Sequence, residues 1–167
     1  MDAQGPEKAR PYVERANPAF ITAVDEENLL GQTYGFKVIP NGLLIDEEGV
    51  LRYMRFGGFD IRRPETAKLV SSWASPTSPN DLSLSTADHM APGEEHLRAI
   101  ALFQDGNVMY REGRVSDALV KWKMATALQP DNLVIRKQIW AVEHPERFYA
   151  DDKIDSAWQK EQLEKGL

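Results

Sequence analysis

The chain has 167 residues and no cysteine. That absence removes disulfides, thiolate metal sites and thiol nucleophiles together. Long apolar runs are missing as well. Every hydrophobic stretch is broken by charge well short of the ~20 residues that a membrane-spanning helix needs, so no membrane segment is expected and the chain as it stands should be soluble. Basic clusters are scarce: in a chain of net charge −6, none is longer than Arg62-Arg63. A nucleic-acid surface needs a concentrated basic patch, and that partner class is excluded. The three histidines, His89, His96 and His144, lack metal-ligand spacing. They are expected at the surface, with no metal and no cofactor. The N-terminus shows no basic stretch followed by an apolar core, so no secretory signal opens the sequence.

What is present divides into three regions. Residues 1–74 alternate short helical and strand patterns. Residues 75–93 are rich in Ser, Pro and Asp and read as a linker. Residues 94–167 are helical almost throughout. In the first region Pro6 opens a helix, because the first helical position does not need its missing N–H, and Pro18 ends that stretch. Residues 19–24, Ala-Phe-Ile-Thr-Ala-Val, form a β-favouring run closed by Asp25, and residues 26–34 read as a helix stopped by Gly35. Two apolar runs, 42–45 and 50–56, flank the acidic turn Asp46-Glu-Glu-Gly49 and predict a β-hairpin. Pro64 opens a last helix that runs to Trp73. Helices alternating with strands place this region in the α/β class.

The stretch Asp25-Glu-Glu-Asn-Leu-Leu-Gly-Gln-Thr-Tyr-Gly-Phe-Lys-Val-Ile-Pro-Asn-Gly-Leu-Leu-Ile-Asp-Glu-Glu-Gly-Val-Leu-Arg carries a family pattern. It resembles the second half of the thioredoxin-like redoxins, the branch related to thiol:disulfide oxidoreductases. The resemblance covers roughly residues 2–74. It implies an incomplete thioredoxin-like domain, with a cis bond between Ile39 and Pro40. It also implies that Ile39 and Pro40 are the residual substrate platform, where the backbone before the proline pairs with an extended segment. The first strand and the Cys-X-X-Cys helix of that family have no counterpart here, and no Ser or Thr pair stands in for them. The chain is therefore expected to be a piece of a longer product, and the strand at 42–46 to show an unpaired edge.

In the last region one helix is predicted from Glu94 to Gly113 and another over 115–128, stopped by Pro130. Gly106, Ala118, Trp122, Ala125 and Pro130 resemble one tetratricopeptide (TPR) repeat, whose period is about 34 residues. Small residues there let two helices approach closely, and Trp122 is expected to fill the space between them. Asp105 departs from that pattern, standing where an apolar residue is usual. Asp131 is expected to cap a third helix, with Leu133, Ile135 or Ile139, and Trp140 turned inward. Pro145 separates a final helix near 155–165. Trp122, Trp140 and Trp158 are expected to serve in packing.

The fold class expected is thus an α/β incomplete thioredoxin-like domain followed by all-α TPR-like helices. The expected function is a thioredoxin-like segment without redox catalysis, binding a protein or peptide through its helical region. Two alternatives stand beside it. One is a thiol:disulfide oxidoreductase whose Cys-X-X-Cys lies upstream of Met1, in which case the location would be extracytoplasmic rather than cytoplasmic. The other is a plain TPR-type adaptor using residues 94–165.

Overall fold

The structure is a computed structural model that describes residues 5–75, 92–148 and 155–165. The fold is mixed, with α-helices and a two-stranded antiparallel sheet. In chain order the elements are α1 (Pro6–Ala16), α2 (Leu29–Tyr34), β1 (Gly42–Ile45), β2 (Leu51–Arg55), α3 (Pro64–Trp73), α4 (Glu94–Arg111), α5 (Val115–Leu128), α6 (Leu133–Glu143), α7 (Pro145–Phe148) and α8 (Ser156–Glu164). By contact the chain separates into two compact units, Met1–Lys37 with Pro92–Leu167, and Val38–Ala91. This division cuts the chain differently from the composition-based one at 74 and 94. The expected linker, 75–93, and His89 fall almost wholly outside the described residues.

The first unit is built on the α4–α5 hairpin. Ile100 and Phe103 of α4 meet Ala118, Trp122 and Ala125 of α5, and Ile135 and Ile139 of α6 close the same cluster. Trp122 is fully buried, as its pattern predicts. Its ring lies 6.0 Å from Phe103 and 5.6 Å from Tyr110. Its indole N–H donates to the Phe103 carbonyl and to Asn107 Oδ1, each at 3.1 Å. Satisfying that donor is what permits so large a ring to be buried without cost to its polar edge. Gly106 is required by the same contact, since a Cβ there would run into the Trp122 indole and come within 3.1 Å of the Ala118 carbonyl. Asp105, out of place in the sequence pattern, faces solvent and pairs with Lys121 at 3.0 Å.

Two sequence expectations are corrected here. Asn132, not Asp131, caps α6, its Oδ1 accepting from the Ile135 N–H at 3.3 Å. Asp131 instead pairs with Lys37 at 2.9 Å. Residues 19–24 form no strand. A strand needs a neighbour to take its backbone donors and acceptors. Among the described residues the sheet contains β1 and β2 alone, and Phe20 and Ile21 are 75% and 97% exposed.

The segment that follows docks onto the helices through its main chain. The Asp25 carboxylate accepts from Leu29 and Leu30 N–H at 2.8 and 2.9 Å, capping α2. Along α4, Gln104 donates to the Glu27 carbonyl at 2.8 Å, and Asn107 and Arg111 donate to the Glu26 carbonyl at 3.4 and 3.3 Å. The Lys37 carbonyl accepts from Leu133 and Val134 N–H at 2.7 and 3.3 Å, satisfying two orphan donors at the start of α6. At the far end Asp155 caps α8 and pairs with Arg147, while Trp158 packs edge-on to Trp140 at 5.7 Å.

In the second unit β1 and β2 pair antiparallel, Gly42 opposite Arg55 and Leu44 opposite Tyr53, with an irregularity between Leu44 and Ile45. The turn is the expected one. Gly49 adopts φ +80°, a left-handed conformation that glycine reaches without strain. Asp46 accepts from Val50 N–H at 2.7 Å and from Arg52 at 2.5 Å, tying turn to strand. With two strands among the described residues, each strand keeps one edge without a strand partner.

Replacing Gly106 with Ala should destabilise the protein by about 1–3 kcal/mol, the usual cost of overpacking, in spite of alanine's better helix propensity. Urea unfolding measures this, and an unchanged or raised stability would contradict the close α4–α5 crossing.

Candidate functional site

The two residues singled out as a substrate platform, Ile39 and Pro40, lie in the second unit on the loop entering β1. The bond between them is cis, as expected. Both are exposed, Ile39 at 48%. What positions them is Asn41. Its Nδ2 donates to the Val38 carbonyl at 2.7 Å, and its Oδ1 accepts from the Gly57 N–H at 2.9 Å. One amide thereby ties the entry of β1 to the exit of β2. The Pro40 carbonyl accepts from the Phe59 N–H at 3.3 Å. Phe59 lies over Gly42 so closely that its ring occupies the place of a Cβ there, and Tyr53 backs it at 6.4 Å.

Chemically this loop offers an exposed apolar side chain and main-chain groups, with no nucleophile. The titratable pair nearest in sequence is Asp60 and Arg62. The Arg62 guanidinium bonds the Asp60 carboxylate at 2.7–3.1 Å, and with the Arg62 backbone N–H it holds that carboxyl down to about 2. Among the described residues no group of three or more His, Asp or Glu side chains is arranged to hold a metal. No described helix is long and apolar enough to cross a membrane.

A second feature lies in the helical unit. Between α5 and α6 is a cavity of about 470 Å³, within the range of ligand sites. Ala127, Pro130, Ile139 and Trp140 give it an apolar lining. Lys123 and Glu143, paired at 2.6 Å, stand among its lining residues. Arg136 lies 5.4 Å over the Trp140 ring and donates to the Pro130 carbonyl at 3.0 Å. The guanidinium is thus fixed by stacking and by a carbonyl, rather than by a carboxylate.

The sequence reading placed His96 at the surface, and that is corrected. His96 is 5% exposed, its Nδ1 is 3.0 Å from Gln129 Oε1, and its Nε2 is 3.0 Å from the Gly31 carbonyl. The signal was present in the spacing. His96, Ile100, Phe103 and Asn107 fall at intervals of four, three and four, which is one face of a helix. His144 is half-buried and packs 5.1 Å from Trp158.

No family model matches this chain, and no curated protein or solved structure matches it.

Asn41→Ala should cost the second unit about 1–3 kcal/mol, two hydrogen bonds at about 0.5–1.5 kcal/mol each, and speed exchange of the Gly57 amide. An unchanged Gly57 amide would mean that Asn41 does not hold the loop. For Asp60, titration followed by NMR should give a midpoint of about 2, and Arg62→Ala should raise it toward the ordinary 3.8. Because the folded value is depressed, the pair's stabilisation is present above the ordinary aspartate range and is lost as pH falls toward 2. A midpoint that ignores the Arg62 substitution would rule out the pairing.

Proposed function

We propose that this chain is a thioredoxin-like segment joined to a TPR-like helical module, that it binds a protein or peptide through the helical module, and that it performs no thiol chemistry. The observation that carries this reading is the cavity between α5 and α6, apolar along Ala127, Pro130, Ile139 and Trp140 and flanked by the charges of Lys123 and Glu143. An apolar lining with a few fixed charges suits a peptide side chain flanked by polar backbone. The residue pattern of the helical half supports the reading. Gly106, Ala118 and Ala125 stand at the crossing that Trp122 fills. The pattern at 25–49 and the cis bond before Pro40 support the thioredoxin-like half. Ile39 makes no backbone hydrogen bond to another described residue, so its main-chain N–H and carbonyl remain open to an extended partner. The absence of cysteine bears on chemistry directly, because dithiol–disulfide exchange needs a thiolate on the protein.

Selection of random peptides on the full chain should recover binders that Ala127→Arg, an exposed substitution in the cavity wall, weakens by about tenfold or more without lowering stability. Failure to enrich any peptide, or binders indifferent to that substitution, would remove the helical cavity as the binding site. In a dithiothreitol-driven insulin reduction assay the chain should leave the background rate unchanged. Turnover above background would overturn the redox-silent half of the proposal.

A further inference from the structure

His96 sits at the centre of a buried polar chain whose hydrogen-bond directions can be worked out from one end. The Ile135 N–H is a backbone donor with no choice of role, and it points at Asn132 Oδ1. That fixes the Asn132 amide, so its Nδ2 is the atom that donates to Gln129 Oε1 at 3.1 Å. Gln129 Oε1 in turn faces His96 Nδ1, and an amide oxygen can only accept. On the other side of the ring, Nε2 faces the Gly31 carbonyl, which also only accepts. Both ring nitrogens therefore meet acceptors. A neutral imidazole has one donor, and only the imidazolium has two.

Reversing the amides does not remove the conflict. Turning Gln129 over sets its NH2 against the NH2 of Asn132. Turning both sets the Asn132 NH2 against the Ile135 N–H. Each neutral arrangement leaves one donor facing a donor or one acceptor facing an acceptor, in a place where Asn132 is 0%, Gln129 3% and His96 5% exposed. One added proton on the ring satisfies every member.

We propose that His96 is a proton-dependent latch: as the imidazolium it bridges α2 to the α5–α6 junction, and loss of its Nδ1 proton releases the docked segment of residues 25–37 from the helices. The surroundings contain forces of both signs. The C-terminal ends of α2 and α5, which supply Gly31 and Gln129, favour a cation. Burial and the first turn of α4, where the ring itself stands, oppose it. The other titratable groups on the elements around the ring are Tyr34 on α2, the Lys37–Asp131 pair beside the start of α6, and Glu94, Glu95 and Arg98 on α4. None of these hydrogen-bonds the ring, whose two contacts are the two acceptors. No fixed carboxylate keeps the proton in place, so the latch answers to bulk pH.

The sign follows from the proton count. The docked state binds one proton more than the released state, so docking is strongest on the acid side of the histidine range and weakens as pH rises through it.

The test uses the full chain with His89→Gln and His144→Gln, leaving His96 as the single histidine. Ring 15N shifts report directly on each nitrogen. At about pH 6 both should be protonated, and on going to about pH 8 the loss of one proton should accompany roughly tenfold faster exchange, beyond the intrinsic base-catalysed rise, at the amides of Gln32, Gly35 and Leu133. In a His96→Gln variant that pH dependence should vanish. A ring carrying a proton on Nε2 alone at about pH 6 would overturn the assignment. A doubly protonated ring whose deprotonation leaves those amides protected would overturn the latch. If His96→Gln fails to fold, the ring shifts and wild-type exchange decide by themselves.

Discussion

The helical unit depends on one donor, the indole N–H of Trp122. An indole nitrogen can only donate, so the oxygen of the Asn107 side chain must face it, and the Asn107 amide nitrogen is left pointing outward at the Glu26 carbonyl. A single core ring thereby does two things. It fills the α4–α5 crossing that Gly106 opens, and it orients the side chain through which the docked segment is held. Asn107 is 1% exposed, so its four hydrogen-bonding positions are settled from inside the protein rather than by solvent.

From that arrangement it follows that α4 works with two faces. One face is apolar and meets α5. The other carries His96, Gln104, Asn107 and Arg111, and each of the four addresses a main-chain carbonyl between residues 26 and 31. Contacts to carbonyls place few demands on the side chains of the docked segment, which is why Leu29 and Leu30 remain about half exposed. This is also why residues 5–37 belong with the helices and not with the hairpin that follows them in sequence.

The helices, their stops and the β-hairpin were legible because each rests on local chemistry. Pro6, Pro64, Gly113 and Gly49 act within a turn of where they stand. Trp122 and its small neighbours were legible because helical spacing puts them on one stripe. The polar face of α4 was not. His, Gln, Asn and Arg on a helix look like a solvated surface until a partner supplies acceptors, and here the partners lie 65 to 85 residues away in sequence. Residues 19–24 failed for the converse reason. Their β propensity is real, but a strand is a property of a pair, and no described strand lies beside them. At the Ile39–Pro40 loop, the cis bond followed from the resemblance. The anchoring amide of Asn41 did not, since nothing about an asparagine in a turn announces a bond to Gly57.

The second unit carries this contrast furthest. Leu44 and Phe59's cover of Gly42 are nearly all the apolar packing the hairpin has, and a two-stranded hairpin in water is marginal by itself. Its geometry is set by polar ties: Asp46 across the turn to Val50 and Arg52, Asn41 across the open end to Val38 and Gly57, and Asp60 to Arg62 beyond it. Such ties hold direction well and hold energy poorly, because exposed ion pairs and hydrogen bonds exchange readily with water. A loop held this way keeps Ile39 and Pro40 presented at the surface while leaving the strand edges beside them open. The helical unit spends its apolar residues on a closed crossing, and the hairpin leaves Ile39, Ile45, Val50 and Phe56 nearly half exposed. The two units thus divide the work of the chain physically. One is rigid through burial, and the other is ordered by directional contacts and open to pairing.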